Sequence, residues 1–147
     1  MSLQELYQDM IVDHSRSPRN FGKLPQAKFH AEGYNPLCGD KVEVYVSLVN
    51  DRIKEVSFEG SGCAISTASA SLMTEFVRAK TLQEVSKVYE EFHKMVTHDD
   101  FRVGEEMGKL AVFKGVREFP TRVKCATLAW HTLKSALKGS DEVVSTE

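Results

Sequence analysis

Long apolar runs are missing from this chain. No stretch approaches the roughly 18 consecutive apolar residues that a membrane-spanning helix requires, so no such helix is expected. Met1-Ser2-Leu3-Gln4-Glu5 shows no basic region followed by an apolar run, so no secretory signal is expected and the cytoplasm is the expected compartment. An excess of basic charge is also missing. The 19 Lys and Arg stand against 21 Asp and Glu, a formal net charge of −2. That balance argues against nucleic acid as the main partner, because phosphate binding draws on clustered cations. Cysteine is scarce, at three residues. An odd count without an export signal argues against a disulfide framework and leaves metal binding, thiol chemistry or small buried apolar side chains. No internal repeat and no low-complexity segment is found.

What is present suits one globular unit. A chain of 147 residues, 41% of them apolar, can bury a core. Ser2 and Glu5 have capping-box spacing, and Leu3, Leu6, Tyr7, Met10 and Ile11 repeat at helical intervals, so a first helix is expected to about His14. Residues 16–26 hold two prolines, a glycine and three basic residues and read as a loop pinned by Phe21. From Lys41 the period becomes two: Val42, Val44, Val46 and Leu48 alternate with Glu43, Tyr45 and Ser47. Asn50-Asp51 supplies a hairpin turn, and Ile53 to Phe58 returns as a second strand with Val56 and Phe58 inward. A third strand near Lys28 to Glu32 is weakly marked.

Helices follow. Cys63 opens an Ala- and Ser-rich helix to about Lys80. Thr81 and Glu84 form a second capping box ahead of the stripe Leu82, Val85, Val88, Tyr89, Phe92 and Met95. His98-Asp99-Asp100 interrupts that stripe. Leu110, Val112, Phe113 and Val116 suggest a short helix ending near Phe119-Pro120. A last helix buries Cys125, Leu128, Ala129, Thr132, Leu133, Ala136 and Leu137 and closes at Gly139. The expected class is α+β, with a small antiparallel sheet of about three strands covered by helices. Residues 1–139 form the expected domain, and residues 140–147 an acidic, flexible tail.

Cys38, Cys63 and Cys125 all fall at boundaries between expected elements. In Tyr34-Asn35-Pro36-Leu37-Cys38-Gly39-Asp40, Gly39 removes a side chain between two potential ligands, so Cys38 and Asp40 can face one centre. Cys63 and Cys125 are expected near helix N-termini, where unpaired N–H groups favour thiolate over thiol. Three thiolates and a carboxylate suit Zn²⁺ first and iron–sulfur units second. No CxxC pair occurs, so the fold must gather the ligands. His14, His30, His93 and His131 read as surface or core histidines and His98 as part of a polar loop. Arg122, three residues before Cys125, reads equally as a group over the site or a solvent-facing arginine.

Cys38-Gly39-Asp40, Gly60-Ser61-Gly62-Cys63-Ala64-Ile65-Ser66 and Arg122-Val123-Lys124-Cys125-Ala126 resemble the three cysteine motifs of the IscU/SufU family of iron–sulfur cluster assembly proteins. The resemblance extends from Leu6-Tyr7 through Pro18-Arg19-Asn20-Phe21-Gly22 to Trp130. Three features look more like SufU than IscU. The interval from Cys63 to Cys125 is longer, with the extra length near Gly104 to Thr121. Lys124 stands where IscU-like members carry histidine. Glu118-Phe119-Pro120-Thr121-Arg122 replaces the Leu-Pro-Pro-Val-Lys chaperone peptide. The resemblance implies a zinc-dependent sulfurtransferase in which Cys38, Asp40, Cys63 and Cys125 hold Zn²⁺. Its implied partners are a pyridoxal-phosphate cysteine desulfurase of the SufS type and downstream iron–sulfur assembly proteins. It further implies that Cys38 takes the persulfide sulfur while Arg122 stabilises developing charge. The alternatives are a scaffold that binds iron or a [2Fe–2S] cluster, and a structural zinc domain.

Overall fold

The computed structural model describes residues 3–98, 102–139 and 143–145. Its elements run α1 (Leu3–Arg16), β1 (Phe29–Asn35), β2 (Asp40–Val49), β3 (Arg52–Ser61), α2 (Ala64–Val77) and α3 (Leu82–Thr97). A 3₁₀ stretch (Glu105–Glu118), α4 (Pro120–Lys138) and β4 (Val144–Ser145) complete the chain. The expected N-cap Ser2 and the Asp99-Asp100 pair lie outside the described residues. The α+β class holds, but the sheet is larger than expected. Its order is β3-β2-β1-β4, and β4 runs parallel to β1 through Gly33–Val144 and Tyr34–Ser145, which makes the sheet mixed. Val144 and Ser145 belong to the stretch expected to be tail.

Alternation places β2 at the centre of the sheet. Val42, Val44 and Val46 are buried on one face, and β2 pairs antiparallel with both β1 and β3. Asn50 and Asp51 both take positive φ (53° and 60°), the conformation of a tight hairpin turn whose twist matches that of the strands. Beyond the turn the register shifts at Ser47/Leu48, leaving Lys54 as the extra residue between the Leu48–Ile53 and Ser47–Glu55 pairs. The bulge brings Ile53 inward beside the expected Val56 and Phe58. Strand β1 is poorly marked in sequence because Gly33 interrupts it. A Cβ at Gly33 would run into the Thr132 hydroxyl and Leu128 of α4, so the glycine lets helix and strand approach.

Helix α2 is the central helix, and its small residues face packed neighbours. Ser69 Oγ donates to the Ala126 carbonyl at 2.6 Å and accepts from Trp130 Nε1 at 3.1 Å, joining α2 to α4. Ser71 Oγ hydrogen-bonds His14 Nδ1 at 2.7 Å and accepts the Arg19 N–H at 2.8 Å, joining α2 to α1 and its following loop. These hydroxyls satisfy polar groups that close helix packing would otherwise strand. The helix ends at Val77, earlier than expected, with Arg78 extended. Helix α3 begins with the expected capping box, Thr81 and Glu84 each receiving the other's N–H. Phe92 stacks on Trp130 with centroids 4.5 Å apart, and Phe113 of the 3₁₀ stretch meets Phe92 edge-on at 5.9 Å. The stretch Glu105–Glu118 is therefore core-forming, with Met107, Leu110, Phe113 and Val116 buried.

Helix α4 starts earlier than Cys125 would suggest. Pro120 occupies its first turn, where a fixed φ and a missing N–H cost nothing. It ends as expected at Gly139, left-handed at φ 71°.

Candidate metal centre

Three separate elements converge on one spot. The β1–β2 turn carries Cys38 and delivers Asp40 as the first residue of β2; the β3–α2 junction carries Cys63; α4 carries Cys125. Gly39, left-handed at φ 71°, turns the chain between Cys38 and Asp40. Sγ of Cys38, Sγ of Cys125 and a carboxylate oxygen of Asp40 all lie within 4.8 Å of one another. The Cys125 and Cys38 sulfurs are 3.4 Å apart, in thiol–thiol contact. Cys63 Sγ lies 3.8 Å from Asp40 Oδ2.

The four side chains differ sharply in exposure. Asp40 is 0% exposed and Cys125 2%, whereas Cys63 is half-buried and Cys38 exposed. Cys63 is the N-cap of α2, and its sulfur receives the Ser66 N–H at 3.4 Å. Its own N–H donates to Asp40 Oδ1 at 2.8 Å, fixing the carboxylate. Space here is closed: a Cβ on Gly62 would collide with that same carboxylate. The helix-terminus argument does not extend to Cys125. That residue lies in the second turn of α4, and burial pushes its thiol well above the ordinary range, assisted by Asp40, Cys38 and Cys63 around it.

One residue at the centre is marked in the sequence only as part of a turn, not as part of a site. Asn35 is 0% exposed, and its Nδ2 points at both Asp40 Oδ2 and Cys125 Sγ, 3.5 Å from each. Its Oδ1 accepts the Leu37 N–H at 3.2 Å, an Asx turn that shapes the Cys38 loop. The Asn-Pro dipeptide is the local signal that marks this turn. Arg122, by contrast, is exposed, and its guanidinium lies over the Phe119 ring at 4.6 Å. The histidines are elsewhere. His14 is buried against Ser71, while His93 and His131 sit beside Tyr89.

Chemically, the donor set fits a metal ion. Asp40 is a fully buried carboxylate whose hydrogen-bond partners are an amide side chain, a backbone N–H and a thiol, all neutral. A buried anion without a countercharge is costly, and a cation among Asp40 and the surrounding sulfurs would supply one. Thiolate and carboxylate donors suit a borderline-soft ion.

Fold and site together define a small α+β protein with a thiolate–carboxylate metal-type centre at the junction of sheet and helices. The chain belongs to the IscU/SufU family: residues 6–126 match the family model described as NifU-like N terminal domain. It is 38% identical over 138 residues to the iron-sulfur cluster assembly scaffold protein IscU of Streptococcus pyogenes serotype M1, covering 94% of this chain and 86% of that one. It is 35% identical over 136 residues to the zinc-dependent sulfurtransferase SufU of Bacillus subtilis, covering 92% of each. The crystal structure of a putative iron-sulfur cluster assembly scaffold protein for the SUF system from Fervidobacterium islandicum superposes with a TM-score of 0.83 at 36% identity, covering 92% of this chain and 99% of that one. Among the described residues no helix is long and apolar enough to cross a membrane.

Proposed function

We propose that this protein is a zinc-dependent sulfur acceptor that takes sulfane sulfur from a cysteine desulfurase and passes it into iron–sulfur cluster assembly. The carrying observation is the gradient of exposure across one cluster. Cys38 stands exposed on a glycine-hinged loop, while Asp40 and Cys125 are buried beneath it. Cys38, Asp40, Cys63 and Cys125 would hold Zn²⁺, which when bound keeps the thiols deprotonated at neutral pH. The Cys38 thiolate attacks the terminal sulfur of a persulfide on the partner's cysteine. A new S–S bond forms at Cys38, the partner's S–S bond breaks, and the partner leaves as a thiolate. The exchange is redox-neutral and needs no further reactant. Arg122 enters this reading as the group that stabilises the developing charge, a role that requires its exposed guanidinium to leave the Phe119 ring over which it lies.

A second reading, a scaffold for a [2Fe–2S] cluster, is favoured by the name of the Streptococcus relative. Lys124, in the place of a histidine donor, favours the first. A third, a purely structural zinc domain, fits poorly with an exposed thiol, since structural zinc sites are closed.

One experiment separates the three. The purified protein is mixed with a cysteine desulfurase, ³⁵S-cysteine and a reductant, comparing wild type with Cys38→Ala and Asp40→Ala. Sulfur label on wild type and none on Cys38→Ala is expected; full labelling of Cys38→Ala ends the acceptor reading. A metal assay and visible spectrum on the same sample distinguish colourless zinc from a coloured cluster. Chelation that unfolds the chain would support the structural role.

A further inference from the structure

Two cavities meet on the face of α4 that looks toward α3, and neither contains a candidate metal ligand. One, of about 190 Å³, is an apolar cleft among Leu82, Val85, Trp130, Leu133 and Leu137. The other, of about 510 Å³, is lined by Lys124, His131, Lys134 and Lys138 with small hydroxyl residues. Tyr89, Lys134 and Lys138 line both, so the apolar cleft opens directly into the basic one. The wall between them is braced. The Tyr89 hydroxyl shares a 2.6 Å hydrogen bond with His131 Nδ1, and Lys134 Nζ sits 4.9 Å above the Tyr89 ring.

Charge and size limit what such a site accepts. The chain as a whole carries a net −2, yet among the described residues three lysines and no carboxylate line these cavities. Burial holds His131 below the usual histidine range, so the positive charge here belongs to the lysines. The apolar part is smaller than the roughly 300–1,000 Å³ typical of small-molecule sites and accommodates one or two side chains. An apolar slot continuing into a cationic trough along a helix pair is the arrangement that receives an amphipathic peptide through spaced apolar anchors.

We infer that the α3–α4 face is a docking site for an acidic segment of a partner protein, whose one or two large apolar side chains enter the cleft while its carboxylates meet Lys124, Lys134 and Lys138. The inference does not depend on the sulfur-acceptor reading.

The test is fluorescence anisotropy with a fluorescein-labelled peptide carrying two leucines four positions apart, flanked by glutamates. It is expected to bind the full chain, at least tenfold more tightly than the same peptide with lysine for glutamate, and less tightly as salt rises. Lys124→Glu/Lys138→Glu, which reverses two of the lining charges and leaves the Lys134–Tyr89 brace in place, is expected to weaken binding at least tenfold. Ser86→Trp, which fills the cleft from its exposed edge, is expected to do the same with the melting temperature unchanged. No binding up to millimolar peptide, or equal binding by the charge-reversed variant, overturns the inference. So does binding to phosphatidylglycerol vesicles in place of the peptide. Peptide binding seen only in Asp141→Asn/Glu142→Gln also overturns it, since the chain's own acidic tail would then be the occupant.

Discussion

The lip and the floor of the metal centre are built from opposite materials. The lip is Leu37-Cys38-Gly39, a turn in which Leu37 is 61% exposed and Gly39 left-handed, with few neighbours to hold it. The floor is Asn35, Asp40 and Cys125, all buried, linked by hydrogen bonds and walled by Gly62. Both contribute a thiol, yet only one thiol is reachable. Reactivity and metal retention can thus reside in the same cluster without residing in the same residue. A partner can reach Cys38 without disturbing the groups proposed to hold an ion.

The largest effect should come from striking the two regions separately. Asp40→Ala removes the one carboxylate of the floor and should lower zinc affinity by more than the roughly 100-fold associated with losing an outer-sphere partner. Cys38→Ala should cost less affinity while abolishing sulfur labelling. Competition with a chelating dye reads the first quantity, and labelling the second. Equal metal loss in both variants would mean that lip and floor are not functionally distinct.

Gly62→Ala tests the floor by volume alone. The added methyl must push the Asp40 carboxylate or the start of α2 aside, an overpacking expected to cost about 1–3 kcal/mol. Urea unfolding of the metal-free protein should show the loss, and zinc affinity should fall with it. Gly39→Ala strains only the lip, since nothing crowds that position, although its φ of 71° is unfavourable for alanine. Its effect should be the smaller of the two.

The same contrast explains what could be read from sequence. Cys38, Cys63 and Cys125 stand out because thiols are rare in the chain and sit at breaks in periodicity, and Asp40 because only Gly39 separates it from Cys38. The β2–β3 hairpin and the Thr81 capping box are local codes, legible without tertiary information. Asn35 is hidden in the sequence because half of its role lies in a contact to Cys125, 90 positions away. Strand β1 was blurred by Gly33, whose reason for being glycine is Thr132 on a distant helix. The start of α4 is not legible because the apolar stripe begins at Cys125, while the exposed first turn from Pro120 carries none. Two-residue β4 is too short for any period to reveal.

Asn35→Ala follows in size. It removes the donor that faces both Asp40 and Cys125 and the acceptor that shapes the Cys38 turn, so it touches floor and lip together. Outer-sphere partners of this kind are worth about 10–100-fold in metal affinity. Asn35→Asp keeps the acceptor for Leu37 but aims a second negative charge at Asp40. It should keep the turn and still weaken the floor. If the two substitutions lower sulfur labelling and zinc affinity equally, the turn contributes nothing separate.

The smallest effect lies away from the centre and supplies a control for all the others. His14 is buried against Ser71, with Glu75 Oε1 3.7 Å from its other nitrogen; Arg19 is the strongest of the surrounding charges, followed by Glu75, with Asp13 and Lys109 weaker. Burial is the leading influence and, with Arg19, holds His14 below its ordinary value of 6.5. The unfolded chain therefore binds this proton more readily than the folded one, so stability is retained above pH 6.5 and declines as the pH falls through that value. The penalty stops growing once the pH is below the folded-state value. In the metal-free protein, where zinc release cannot contribute, the urea midpoint should drop between pH 7.5 and 5.5, and His14→Gln should flatten that slope. A slope unchanged by His14→Gln would place the acid sensitivity elsewhere.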